Sequence, residues 1–297
     1  MTVLERGWLS ANGILFTGPE GAALVDTGYC THAEQTLALV RAALGAQPLA
    51  RILNTHLHSD HCGGNAALQA AWPQLHTAVA PGQAQLVRQW DARALGYVAT
   101  GQQCPRFRID GVLTPGTPVA LGGRPWQIHA APGHDPHSVV LFEPEAKLLI
   151  SADALWEKGF GVVFPELDGE EAFAQVGATL DLIEQLAPAT VIPGHGPVFH
   201  DVASALAAAR ARLAGFVASP QRHARHAAKV LLKFKLLEWQ RIEQAALLAW
   251  VEATPYMGRL QARHLPRAQA ADWVAGLADE LVAVGAARRE AGVLFNA

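Results

Sequence analysis

The segment Asn54-Thr55-His56-Leu57-His58-Ser59-Asp60-His61 packs three imidazoles and a carboxylate into six positions. Imidazoles crowded against a carboxylate are expensive to bury without a ligand, so the fold has to converge this segment on a cation. It follows directly on Arg51-Ile52-Leu53-Asn54, which reads as a short β-strand, so the donors stand where a strand gives way to a loop. Neutral imidazole and carboxylate suit zinc, iron or manganese. An all-thiolate structural zinc site is excluded, because of the three cysteines (Cys30, Cys62 and Cys104) only Cys62 lies nearby.

Other candidate donors occupy similar junctions. They are His134 in Ala131-Pro132-Gly133-His134, Asp153 in Ser151-Ala152-Asp153, and His195 in Ile192-Pro193-Gly194-His195-Gly196. Seven donors are too many for one tetrahedral ion and suit two ions that share a carboxylate. The surrounding pattern is α/β. Two apolar runs flank the turn formers Gly18-Pro19-Glu20-Gly21 as a β-hairpin would. Leu37, Val40 and Leu44, with Gly45 just beyond, predict an amphipathic helix and its C-cap. The order then repeats. Residues 139–142 and 147–150 form a second hairpin, Phe173, Val176, Leu180 and Ile183 mark a second helix, and Thr190-Val191-Ile192 is a second short strand. Two hairpin–helix–strand units suggest a pseudo-repeat.

Taken together, His-x-His-x-Asp-His, Pro-Gly-His, Ser-Ala-Asp, Pro-Gly-His and the upstream Leu24-Val25-Asp26-Thr27-Gly28 resemble the metallo-β-lactamase superfamily over residues 8–200. The resemblance implies a four-layer αβ/βα sandwich with the metal site at one edge of two sheets. It further implies that His56, His58 and His134 ligate one ion and that Asp60, His61 and His195 ligate another, with Asp153 bridging. The implied cofactor is two divalent ions, zinc first, with iron and manganese as alternatives. The implied chemistry is hydrolysis by a metal-held hydroxide, with Asp60 orienting it as well as ligating. Asp26 either caps a turn or, as in the family, buttresses the ligand loop. His137, in Asp135-Pro136-His137-Ser138, is either a surface loop histidine or a substrate contact able to protonate a leaving group. Cys62 is read as a small buried thiol.

Composition bounds the rest. With 51% hydrophobic and 16% charged residues and a mean hydropathy of +0.14, the chain reads as a soluble globular protein. No apolar stretch approaches the roughly 20 residues of a membrane span. Glu5 and Arg6 interrupt the region where a secretory signal would be apolar, so the expected compartment is the cytoplasm. Charge is asymmetric, with net −9 up to Ala209 and net +6 from Arg210 onward. We place a boundary between a catalytic domain at 1–212 and a helical domain at 213–297, with helical periodicity over 203–218, 221–238, 240–253 and 267–284 and a hairpin in 286–295. Helices followed by a hairpin outline a winged-helix-like module. Trp239, Trp250 and Trp273 are spaced like its core. Arg222, His226, Lys229 and Lys233 form a basic stripe, either a solvated face or an attractor of phosphates. The acidic residues Asp272, Asp279 and Glu280 on the last helix argue against sequence-specific DNA binding.

The leading expectation is a binuclear metal hydrolase acting on a small thioester or ester, similar to the hydroxyacylglutathione hydrolase branch, although that branch's glutathione-binding residues have no match here. Its alternatives are a single-strand endoribonuclease, motivated by the basic tail, and a non-catalytic metal sensor with a partner-binding tail. A persulfide-type oxygenase with one iron is built on the same scaffold, and a filled second metal position separates it from these. β-Lactam hydrolysis is disfavoured by the bridging aspartate and the missing export signal.

Overall fold

The computed structural model describes residues 1–264 and 269–297, and the chain divides into two compact units. Met1–Leu95 and Gln103–Ala214 form the first; Gly96–Gln102 and Gly215–Ala297 form the second.

The first unit grows from the two hairpin–helix–strand segments. After β1 (Thr2–Leu4), β2 (Gly13–Phe16) and β3 (Ala22–Val25) pair antiparallel across a turn that Gly21 closes at φ +89°, a conformation a side chain would resist. Helix α1 (Ala33–Leu44) buries Leu37, Val40 and Leu44 and ends at Gly45, and β4 (Leu49–Asn54) then returns parallel to β3. The short helices α2 (Ser59–Cys62) and α3 (Asn65–Ala71) lead to β5 (His76–Val79). Beyond α4 (Ala84–Gln89), β6 (Gly111–Val112) completes a six-stranded sheet in sequential order.

The second sheet is built from β7 (Pro118–Leu121), β8 (Arg124–Ala130), β9 (Val139–Glu143), β10 (Leu148–Ala152) and β11 (Thr190–Pro193), in the order β11-β10-β9-β8-β7. Between β10 and β11 lie α6 (Phe164–Asp168) and α7 (Phe173–Leu186), and β11 returns parallel to β10. Hairpin, helix and parallel strand thus occur in the same order in both sheets. Alternation along the strands makes the layers: Ala23, Val25 and Leu53 join Trp126, Ile128, Leu141, Ile150 and Ile192 in one core between the sheets. Their neighbours Leu24 and Ile52 point the other way, into a cluster with Leu37, Val40 and Leu44 of α1 and Leu68 of α3. Each such side chain contributes about 1.5–3 kcal/mol on burial. Helix α8 (Val202–Ala218) follows the second sheet.

Strand direction fixes where chemistry can gather. Strands β3 and β4 are parallel and end at Val25 and Asn54; β8, β10 and β11 share one direction and end at Ala130, Ala152 and Pro193. Thr55 O accepts from Val139 N at 2.9 Å, and Asn12 Nδ2 donates to Pro193 O and Gly196 O at 3.0 and 2.8 Å, so these strand ends are sewn together.

The second unit holds α5 (Tyr97–Thr100), α9 (Pro220–Trp239), β12 (Arg241–Glu243), α10 (Gln244–Ala253), α11 (Pro255–His264), α12 (Ala270–Ala283), β13 (Ala287–Glu290) and β14 (Val293–Asn296). Three features correct the sequence reading. Residues 240–253 are not one helix. Gln240 turns the chain at φ +64°, and Arg241-Ile242-Glu243 pairs with β14 with only Ile242 buried. Thr254-Pro255 starts a helix as well as ending one, because a proline at the first helical position lacks only an N–H that would be unpaired there anyway. Trp239 is 40% exposed, with Lys235 Nζ 5.0 Å from its ring centroid, so of the three tryptophans only Trp273 is buried. The last helix is seen from Ala270; Arg267 and Ala268, expected to begin it, lie outside the described residues. Among the described residues no single helix is long and apolar enough to cross a membrane.

Candidate metal centre

The strand ends at the sewn edge deliver the donors and one buried carboxylate beside them. Asp26 follows β3, His56 and His58 follow β4, and α2 carries Asp60 and His61. His134 follows β8, Asp153 follows β10 and His195 follows β11. The seven expected donors converge into three overlapping groups. His56, His58 and His134 form one, Asp60, His61 and His195 a second, and His56, His61 and Asp153 link them, with the donor atoms of each group within 4.8 Å of one another. Asp153 lies between the two: Oδ2 is 3.4 Å from His134 Nε2, and Oδ1 is 3.4 Å from His61 Nε2 and 3.8 Å from His195 Nε2.

Two glycines make this approach sterically feasible. A Cβ on Gly194 would collide with Asp153 Oδ1, and one on Gly161 would collide with His134 Nδ1. Asp26 and Ala152 take positive φ values of 55° and 45°, placing local backbone strain beside the donors.

Asp26 is 1% exposed and saturated: Oδ1 accepts from Thr55 N at 2.9 Å, and Oδ2 accepts from Thr55 Oγ1 and His61 Nδ1, both at 2.8 Å. A carboxylate only accepts, so His61 carries its proton on Nδ1 and turns Nε2 towards Asp60 and Asp153. His134 is fixed by the backbone, its Nδ1 lying 2.5 Å from Val162 O. His195 Nε2 faces Asp60 Oδ2 at 3.1 Å.

The charge states follow from burial and neighbours. Burial, together with the nearby imidazoles His61, His58 and His134, holds His56 well below the usual histidine range. Burial and His58 push His134 down to about 4 despite the carboxylates of Asp153 and Asp135. For His61 burial acts the same way, but Asp153, Asp26 and Asp60 outweigh it and raise the imidazole well above its ordinary value. Burial opposes ionisation of Asp60 and Asp153, yet His61 and His195 hold both below the usual carboxylate range. The cluster thus combines neutral imidazoles at His56 and His134 and a protonated one at His61 with the ionised carboxylates of Asp60 and Asp153.

Those donors fit divalent ions. His61 Nε2 and His134 Nε2, the ring nitrogens turned towards Asp153, are buried without a hydrogen-bond partner, a costly state that cation binding relieves. His137 belongs to none of the three groups; its half-buried ring lies against Gly82, and its backbone N–H donates to Asp135 Oδ1 at 2.7 Å. Cys62 is fully buried and also lies outside the donor groups, its Sγ 3.3 Å from His58 O and 3.8 Å from Cys104 Sγ.

Sequence reasoning missed the surroundings of the donors. Asp135 is 4% exposed and its Oδ2 lies 4.0 Å from His58 Nε2, a neighbour that its place directly after His134 could have flagged. Trp8, Trp156 and Phe164 frame the cluster. Trp8 stacks on His195 with ring centroids 5.3 Å apart, and Phe164 stands edge-on to His58 at 5.1 Å. No local sequence pattern marks these aromatics.

Known proteins resemble this chain in sequence and in fold. The sequence profile of the Metallo-beta-lactamase superfamily matches residues 6–195, from just before the aromatic loop to the last donor. The hydroxyacylglutathione hydrolase of Synechococcus sp. (strain JA-3-3Ab) is 35% identical over 196 residues, covering 64% of this chain and 65% of that protein. The hydroxyacylglutathione hydrolase of Anaeromyxobacter dehalogenans (strain 2CP-C) is 37% identical over 202 residues, covering 65% and 66%. The matched part thus spans just under two thirds of these relatives' length. Among solved structures, the metallo-beta-lactamase family protein TTHA1429 from Thermus thermophilus aligns over 100% of this chain and 98% of its own, with a TM-score of 0.59 and 20% identity. TTHA1623, solved in a di-iron-bound form, aligns over 69% of this chain and 96% of its own, with a TM-score of 0.54 and 28% identity. Because the profile spans both sheets and ends on the last donor, the chain belongs to the metallo-beta-lactamase superfamily.

Proposed function

We propose that this chain is a metal-dependent hydrolase of small thioesters or esters, working with two divalent ions. The observation that carries the proposal is the convergence of seven donors into two groups with the Asp153 carboxylate between them. His56, His58 and His134 would hold one ion and Asp60, His61 and His195 the other, with one oxygen of Asp153 facing each group. Divalent ions held there would supply a water of lowered pKa, about 7, and a Lewis acid for a carbonyl oxygen, so no serine or cysteine nucleophile would be required. The protein's part is orientation. Asp26 keeps the His61 proton on Nδ1, and Val162 O fixes the ring of His134. Asp60, whose side chain is 14% exposed, is the donor most open to solvent after His58, and it orients the attacking water.

The hydroxyacylglutathione hydrolase relatives support a thioester as substrate class, and zinc is the ion we favour. Inside the second unit, Lys229 pairs with Glu280 at 2.8 Å and Lys233 donates to Ala286 O and Asn296 Oδ1 at 2.5 and 2.6 Å. Two cations of the basic stripe are thereby engaged by their own unit, which favours the thioester reading over RNA cleavage. The helices and terminal hairpin of that unit support a winged-helix-like module. The deciding experiment is elemental analysis of protein purified without added metal, together with hydrolysis assays on a thioester panel and a single-stranded RNA. Two equivalents and thioester turnover, lost in Asp60→Ala, are expected. RNA cleavage alone would install the nuclease, and one equivalent of iron without hydrolysis would refute the hydrolase.

A further inference from the structure

The two donor groups are held by different means. In the first, His134 is fixed by a backbone carbonyl, Val162 O, and His56 Nδ1 lies 3.2 Å from Thr55 Oγ1. The second is flanked by two indoles. Trp156 Nε1–H donates to Asp153 Oδ1 at 3.2 Å, the same oxygen that faces His61 and His195. Trp8 lies parallel to the His195 ring, 7° between planes, with centroids 5.3 Å apart. The indoles also meet each other edge-to-face at 5.3 Å, and Trp156 meets His195 at 5.5 Å and 80°. Trp156 is itself anchored, its backbone N–H donating to Gly159 O at 2.6 Å.

We infer that Trp8 and Trp156 are positioning residues for the second donor group, a bracket that sets its grip on the second divalent ion. The inference rests on the two-ion reading above. Trp156 gives Asp153 Oδ1 a fixed hydrogen-bond direction, so the carboxylate cannot rotate its oxygens between the two groups without losing that bond. Trp8 packs one face of the His195 imidazole and restricts its tilt. Trp8 is also 54% exposed, so the bracket is closed on the His195 side by a residue in contact with solvent. The affinity of the second position therefore depends on these two indole contacts, which substitution can remove one at a time.

The test titrates metal-free wild type and the variants Trp156→Phe, Trp8→Ala and Trp8→Phe with zinc against a chromophoric chelator. Thermal melts of the metal-free proteins check that each variant folds. Trp156→Phe keeps a ring and removes only the N–H donor, and it is expected to weaken the second equivalent about 10–100-fold while leaving the first within about twofold. Trp8→Ala should weaken the second equivalent about threefold or more, and Trp8→Phe, which keeps a stacking face, should restore it. An unchanged second equivalent in Trp156→Phe overturns the inference. So does equal weakening of both equivalents, which would mark the indoles as general packing. A wild type that takes one equivalent overturns the two-ion reading itself, and the two failures are told apart by the wild-type titration.

Discussion

Replacing Asp26 by Asn tests how the cluster is organised more sharply than removing any donor, because the exchange is nearly isosteric and changes one proton. In the native arrangement Asp26 Oδ2 accepts from His61 Nδ1 and Thr55 Oγ1, each at 2.8 Å, and Oδ1 accepts from Thr55 N at 2.9 Å. In Asp26→Asn the amide oxygen is retained by Thr55 N, since a backbone donor admits no substitute. The NH2 group then faces His61 and can only donate. His61 must accept on Nδ1, its proton moves to Nε2, and the nitrogen that faced Asp60 and Asp153 loses its lone pair. Loss of such an orienting partner costs about 10–100-fold in metal affinity, confined here to the second equivalent. Thr55 Oγ1 keeps a partner by rotating its hydroxyl, so the stability loss of the metal-free protein should stay near 1–2 kcal/mol, against about 3 kcal/mol or more for Asp26→Ala, which orphans three buried groups. Zinc titration of the metal-free proteins reads the first quantity and denaturant unfolding the second. An Asp26→Asn protein that binds two equivalents with wild-type affinity would refute the tautomer argument.

Three further outcomes follow from the same geometry. Because three carboxylates outweigh burial and raise His61 well above the ordinary value, the metal-free protein at pH 7 carries an imidazolium there, and filling the second group must expel that proton; calorimetry in buffers of different ionisation enthalpy should find proton release, and its absence would refute the charge assignment. His134, lowered to about 4, is neutral in the folded metal-free chain while its unfolded counterpart protonates near 6.5, so its contribution is present above about pH 6.5 and lost as pH falls towards 4. His56 acts in the same direction and His61 loses nothing in that window, so metal-free stability should fall from pH 7 to 5 by about 2 kcal/mol from His134 alone, and a flat profile would contradict the burial argument. In the second unit Lys235 and Glu238 form an ion pair at 2.5 Å with side chains 5% and 4% exposed; Lys235→Met should destabilise that unit by about 3–5 kcal/mol, and the double change with Glu238→Leu should recover most of it in a denaturation cycle.

What the sequence made legible, and what it hid, divides along a physical line. His56, His58, Asp60 and His61 stand out because donor density in six consecutive positions has few other uses, and both hairpins because their turn formers punctuate apolar runs. Strand β12 was hidden because three residues, Arg241-Ile242-Glu243, cannot establish a period of two, and because their pairing partner Val293-Leu294-Phe295 lies about fifty residues away. Trp8 was hidden for a related reason. Nothing in Gly7-Trp8-Leu9-Ser10 points to His195, and the two meet only because Asn12 is tied to Pro193 and Gly196 across the sheets.

Four of the seven donors are therefore local in sequence, whereas Asp26 and Trp8, which orient His61 and His195, come from distant segments. That distinction has a consequence for how the centre can fail. His134 in the first group leans on a main-chain carbonyl, Val162 O, which no side-chain substitution at that position removes. The second group leans on Asp26, Trp156 and Trp8, three side chains drawn from three separate segments. Single substitutions at any of the three should loosen the second position while sparing the first, so a protein built for two ions passes to a one-ion form before it loses metal altogether. Gly194 sets the limit on this tolerance: its missing Cβ leaves room for Asp153 Oδ1, and any side chain placed there would displace the one carboxylate that faces both groups. Gly194→Ala should therefore depress both equivalents together, in contrast to Asp26→Asn, and a zinc titration in which Gly194→Ala spared the first equivalent would show that Asp153 is not shared between the two positions.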